Sequence, residues 1–361
     1  MKPFAPFVIA ATLAAAPAAA QEDLLSACSG VTISWFPGPP ALAPEGLDNE
    51  FRYLCGQVVS VLAAVQPAVG IAFTGGNPVL GTATTLGRRF GGLPRVSITA
   101  RATGALVDMP DLLDGFQAEL GSNDELAALG SERLPLGSLQ GDVAIGLFNG
   151  FSLGPTAGGL GAIDLLGSIS YVPTIDDIGL TEEIVNWGVG ARVGILKQGL
   201  MLPGVSVSGM YRSMGQVRFG DLAEDPATFS TDLSAVSLRA EASKGFLALN
   251  LGVGAGYDLY RSDVSFNWEL TCPATTCTPE ATGSPTSPVS GRLETAAWNI
   301  HGNVGVGLAL INLVAELGYQ KPTDAVGAAD LQEAGLPNRP PAVEDLDAGR
   351  IFGGIGVRLS F

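Results

Sequence analysis

The feature that most narrows what this chain can become is a strict two-residue alternation, held over ten residues or more, with one phase greasy and the other small or polar. Side chains on a β-strand point to opposite faces in turn, so each such stretch reads as a strand with two unlike faces. From Leu247 the odd positions are Leu247, Leu249, Leu251, Val253, Ala255, Tyr257 and Leu259, and the even ones Ala248, Asn250, Gly252, Gly254, Gly256 and Asp258. Further on, Trp298, Ile300, Val304 and Val306 alternate with Asn299, His301, Asn303 and Gly305, and earlier Val185, Trp187, Val189 and Val193 alternate with Asn186, Gly188, Gly190 and Arg192. In a soluble sandwich the greasy phase would face a second sheet and the other phase would be rich in charge. Here the second phase is glycine-rich, the chain holds 49 glycines, and only 15% of it is charged. That combination suits a wall whose greasy face meets lipid and whose other face encloses a lumen.

Alternating segments fall at 94–105, 139–149, 161–171, 184–196, 202–217, 228–243, 246–262, 293–308, 310–320 and 348–361. The connections after every odd-numbered segment are long or polar, as in 106–138, 263–292 and 321–347. The others are mostly short, with Ser243-Lys244-Gly245 the tightest. Long loops on one side, turns on the other and an even strand number are the plan of a closed membrane barrel, with both ends of the barrel on the turn side. A helical span would need about 18–20 apolar residues, and the best candidate after residue 20, residues 61–73, is broken by Gln66-Pro67. A barrel is the other structure that satisfies every backbone group inside lipid. The expected fold class is therefore all-β, a transmembrane antiparallel barrel of about ten strands, within a range of about eight to fourteen, preceded by a small helical plug or cap.

The first twenty residues read as an export signal, with Lys2, an apolar run from Phe4 to Ala16 and the small-residue site Ala18-Ala19-Ala20. Leu25-Ser26-Ala27-Cys28 also spells a lipoprotein cleavage box, which would put a lipid on Cys28. Glu22 and Asp23 interrupt the approach to that box and favour the earlier cleavage. The division expected is a signal at 1–20, a disulfide-tied helical plug or periplasmic segment at 21–92, and the barrel at 93–361. Within 21–92, Asp48 or Asn49 can cap a helix whose stripe is Phe51, Leu54, Cys55, Val58, Leu62 and Val65, ending before Pro67. In an oxidising compartment Cys28 is expected to pair with Cys55, and Cys272 with Cys277, which enclose only Pro-Ala-Thr-Thr. With no histidine or second cysteine pair near them, a metal site is not expected, nor is any cofactor.

The closing segment, Gly349 to Phe361, puts Ile351, Ile355, Val357, Leu359 and Phe361 on one face and stops on an aromatic. It resembles the final-strand signature of Gram-negative outer-membrane β-barrels. The resemblance implies the cell outer membrane as location, with its lipid and the barrel-assembly machinery as partners. Gly75-Gly76-Asn77-Pro78 is slightly similar to the plug motif of barrels that import long-chain fatty acids, where alanine stands in place of Val79. A porin-like barrel passing or binding a small, hydrophobic solute through a plugged lumen is what that second resemblance implies.

Parity assigns Arg101, Arg192, Arg212, Arg239, Arg350 and Arg358 to the lumen, with Asp142, Asp164, Glu241, Asp258, Glu316 and His301. Close balance of sign suggests paired networks bracing the wall, because isolated charges in a narrow lumen are costly. The other reading is a polar pathway lined by these groups. His301 is the sole histidine, and its lumen parity opposes a hydrolase site on the lipid-facing wall, so an enzyme is not expected. The formal net charge of −16 argues against a nucleic-acid partner. A non-transporting structural or surface-interaction barrel with a salt-bridged interior is the alternative to transport. A filled lumen favours that alternative, and a continuous cavity favours transport.

Overall fold

The computed structural model describes residues 16–36, 47–89, 92–110, 131–152, 158–173, 183–219, 227–272, 281–308, 311–323, 328–335 and 348–361. In chain order these form α1 (Ala16–Ser29), β1 (Ile33–Phe36), α2 (Leu47–Thr74), β2 (Val96–Pro110), β3 (Ser131–Phe148), β4 (Ile163–Val172), β5 (Ile184–Leu196), β6 (Gly204–Met214), β7 (Val217–Phe219), β8 (Ala227–Phe246), β9 (Leu249–Trp268), β10 (Leu270–Cys272), β11 (Ala281–Pro285), β12 (Val289–Leu308), β13 (Ile311–Pro322), α3 (Ala328–Glu333) and β14 (Arg350–Ser360).

The wall is a closed antiparallel barrel of ten strands. Each of the ten alternating segments supplies one strand. Closure occurs between β14 and β2, where Leu359 sits opposite Ile98, and the short β7 continues β6 along the same neighbour, β8. The turn placed at Ser243-Lys244-Gly245 falls instead at Leu247-Ala248, because the β8–β9 ladder continues to Phe246 opposite Leu249. Leu247 takes φ 54° there.

Several strands run well past the predicted limits on the long-loop side, and the polarity of their faces explains why. On β9 the outward positions begin Leu249, Leu251, Val253 and end Arg261, Asp263, Ser265, Asn267. The inward positions begin Asn250, Gly252, Gly254 and end Val264, Phe266, Trp268, the last three buried. Parity never changes, but the chemistry of the two faces exchanges. β8 does the same, with Ser243, Glu241 and Arg239 inward near one end and Ala235 and Leu233 inward near the other. The first regime is a wall between lipid and a polar lumen; the second is a wall between water and an apolar core.

The changeover marks the membrane edge. Trp187 packs edge-on against Tyr211 and Trp298 lies near Tyr319, all on the outer face in the long-loop half, while Phe148 and Phe151 meet at the short-turn end. Trp298 to Leu308 is about ten residue steps, which at about 3.3 Å each and a tilt of about 40° gives about 25 Å, the height of an outer-membrane apolar band. Beyond it β9 and β12 project into water and carry the outer-face ion pairs Arg261–Glu294 (2.5 Å) and Arg292–Asp263 (3.0 Å).

The N-terminal segment enters from the long-loop end. α1 and the first half of α2 fill the projecting mouth, where Leu24, Leu25, Cys28, Cys55, Val58 and Val59 pack on Val264, Phe266, Trp268, Val289 and Leu293. Cys28 and Cys55 form a disulfide, which leaves no thiol at Cys28 for a lipid. Cys277 lies outside the described residues. β1 joins β11 and β10 in a small sheet, so the β9–β12 connection clasps this head. The helix does not stop before Pro67: α2 runs on to Thr74 with Pro67 inside it. Packing overrides the proline penalty, since Ala68, Ile71 and Ala72 are sealed against Ala105, Val107, Leu136 and Phe352. Residues 55–74 are apolar and long enough to cross a membrane, but their surroundings are protein.

The two regimes predict opposite responses to charge. Val253→Arg, on the lipid-facing belt, should cost about 2–4 kcal/mol, whereas Ser265→Arg on the projecting face should change stability by less than about 0.5 kcal/mol. Equilibrium unfolding in lipid vesicles measures both.

Candidate functional site

The site is the lumen between the end of α2 and the start of β2, where residues 75–87 pass through the barrel without forming helix or strand. A backbone of that kind, buried, must find partners for its N–H and C=O groups from its surroundings. Gly75, at φ 62°, ends α2 and donates its N–H to Ile71 O (2.9 Å). Asn77 Oδ1 then accepts the Val79 N–H at 2.8 Å, and Pro78 between them has no N–H to place. The chain thus turns at mid-lumen and heads for the short-turn end.

The inward charges of the wall hold that path. Glu316 on β13 accepts the N–H of Gly76 on Oε1 (2.8 Å) and that of Asn77 on Oε2 (2.6 Å). From β8 and β2, on either side of β13 around the wall, Arg239 donates to Gly76 O (2.8 Å) and Gly75 O (3.0 Å), and Arg101 donates to Asn77 O (3.0 Å). Lower down, Arg358 donates to Leu80 O (2.6 Å), Ser243 Oγ accepts the Ala83 N–H (2.8 Å), and Arg192 donates to Thr82 O and Thr84 O (both 3.1 Å). Asp164 takes the N–H of Leu86 (3.1 and 3.0 Å) and of Gly87 (3.4 Å). Arg350, at the upper end, donates to Ala64 O.

A second set of contacts fixes those side chains. Arg101 pairs with Asp142 (2.8 Å), Arg192 with Asp164 (2.7 Å) and Arg239 with Asp258 (2.8 Å), all buried. Asn299 donates to Asp258 (2.8 Å). His301 meets Glu241 at 2.5 Å through Nε2 and Asn299 at 3.2 Å through Nδ1, so both ring nitrogens are engaged. Arg212 is buried beside Met210 Sδ (3.4 Å) and makes no ion pair among the described residues. Of the twelve residues assigned inward by parity, eleven are buried and Arg350 is half-buried. They do not form one centre but a column of contacts along the threaded segment, with Asn77 and Pro78 at its middle.

Other participants carried weaker signals. Gln66 is a buried amide in the apolar second half of α2. It donates to Ser262 Oγ (2.7 Å) and Leu293 O (3.3 Å) and accepts from Thr295 (2.6 Å). Thr103 and Ser138 both donate to Ala72 O (2.8 and 3.3 Å), and their inward parity was the clue. Gly76 has no room to be anything else, because a Cβ there would lie 2.7 Å from Glu316 Oε2 and 2.8 Å from His301 Cγ. A concavity of about 700 Å³ lies along β2 to β5 and β14, lined by Ala100, Arg101, Leu139, Gln140, Ile169 and Ile355 among others.

Neither a family model nor a curated protein matches the chain. Solved barrels do align with it. The outer membrane protease OmpT from Escherichia coli shares 9% identity over 74% of this chain and 96% of that one, with a TM-score of 0.35. The translocator domain of the autotransporter NalP from Neisseria meningitidis shares 12% over 76% and 91%, at 0.36. Ail of Yersinia pestis shares 8% over 74% and 97%, at 0.25. Such scores add nothing to the closed barrel already evident in the strand order, and no activity passes from these proteins to this one.

Glu316→Ala would leave two buried N–H groups unpaired, at about 1–3 kcal/mol each. Hydrogen exchange should then quicken at residues 75–80 while the β12–β13 amides stay protected, as mass spectrometry of peptic fragments reads directly.

Proposed function

We propose that the protein is exported by an N-terminal signal, sits in the cell outer membrane, and is closed there by its own N-terminal segment. On this reading it works as a structural or surface-interaction barrel whose long-loop face and disulfide-tied head are the parts offered to other envelope components. The observation that carries it is the use of the inward charges: Glu316, Arg239, Arg101, Arg358, Arg192 and Asp164 are all bound to the backbone of residues 75–87. A conducting lumen needs such groups facing water or solute; here they face the chain itself. Transport of a small hydrophobic solute would require that whole column of contacts to break, and the likeness of Asn77-Pro78 to a fatty-acid-importer plug is its remaining support.

Planar bilayers test the proposal. Wild-type protein should give no steady channel current. The double variant Glu316→Ala, Arg239→Ala should give brief openings, because four backbone groups at the mid-lumen turn lose their partners. Steady conductance, or saturable uptake of a hydrophobic probe by wild-type vesicles, would return the transport reading to first place.

A further inference from the structure

The two ends of the barrel differ sharply in charge. Among the described residues of the short-turn end, 84–89, 92–97, 146–152, 158–163, 195–205, 243–250, 306–308, 311–312 and 358–361, there is no Asp or Glu. They do contain Arg88, Arg89, Arg95 and Lys197, all exposed, with no ion pair to any of the four among the described residues. Described acidic residues lie instead toward the other end, among them Glu183, Asp232, Asp263 and Glu294.

The short-turn rim is also greasier than a water-facing turn should be. Leu200 is 97% exposed, Met201 89% and Leu247 110%. Leu247 holds a positive φ, which ordinarily selects Gly, Asn or Asp at a two-residue turn. Neither turn is loosely placed. Lys244 Nζ donates to Gly199 O (2.7 Å), Leu200 O (2.8 Å) and Leu202 O (3.2 Å), and so ties the β5–β6 turn to the β8–β9 hairpin. The two tips form one surface that continues the outer belt through Phe246, Leu249 and Leu251.

Unpaired cations beside exposed aliphatic tips, without an acidic residue to repel phosphate, fit one environment: the headgroup layer of an anionic membrane leaflet. We propose that the short-turn rim is a binding collar for anionic phospholipid, with Arg88, Arg89, Arg95 and Lys197 meeting headgroup phosphates while Leu200, Met201 and Leu247 enter the acyl boundary. The inference rests on the membrane placement of the barrel but not on the sealed lumen, so the bilayer current and the lipid test fail independently.

The test uses the full-length protein in vesicles of equimolar phosphatidylcholine and phosphatidylglycerol, with spin-labelled versions of each lipid. Electron paramagnetic resonance reads the motionally restricted fraction of each. Wild type should restrict phosphatidylglycerol about twofold to fivefold more than phosphatidylcholine, a preference that shrinks in about 1 M salt. The triple variant Arg88→Gln, Arg89→Gln, Lys197→Gln should lose it, while Arg261→Gln, Arg292→Gln at the projecting end should keep it. Inorganic phosphate added at matched ionic strength should not displace the lipid. No preference in wild type, an unchanged preference in the triple variant, or displacement by phosphate would overturn the proposal.

Discussion

A peptide backbone that is neither helix nor strand cannot lie in a dry interior unless something else completes its hydrogen bonds, and the architecture of this lumen follows from that demand. Residues 75–87 bring bare N–H and C=O groups into the middle of the barrel. Arginine and carboxylate side chains on strands from every side of the wall meet them. The ion pairs behind these contacts matter less as sources of stability than as a way to keep each donor or acceptor aimed. Arg239 shows the pattern: Asp258 holds the guanidinium while two of its nitrogens reach Gly75 and Gly76.

The second organising constraint is the change of solvent along the strands. β8, β9 and β12 keep one parity from end to end, yet within the membrane they are greasy outside, and beyond it greasy inside. The apolar mouth so created is what α1, α2 and the Cys28–Cys55 bridge fill. The disulfide sits among Leu24, Leu25, Val58 and Trp268.

Much of this was legible in the chain. The ten strands and the closing segment followed from alternation, because a lipid-facing wall leaves an unmistakable period. The projecting ends did not follow, since a greasy outer phase marks only the part of a strand that faces lipid, and beyond it Arg261 and Asp263 face out while Phe266 and Trp268 face in. Pro67 misled for a related reason: a lone proline ends an isolated helix, but here Phe352, Leu136 and Val107 hold the following turn in place. Nor could spacing reveal that Glu316 serves Gly76 and Asn77, which lie 240 and 239 residues away in the chain.

The threaded segment also bears on how the cylinder is sewn shut. The seam joins β14 to β2, the last and first strands of the wall. Arg358 and Arg350 on one lip bind Leu80 and Ala64, while Arg101 and Thr103 on the other bind Asn77 and Ala72. The same strip of chain is thus stitched to both lips, a basting thread laid across the edges before the final ladder closes over it. Once those ladders are complete, the disulfide-knotted end could be drawn through only by undoing them, so enclosure during assembly is the order of events that this geometry favours.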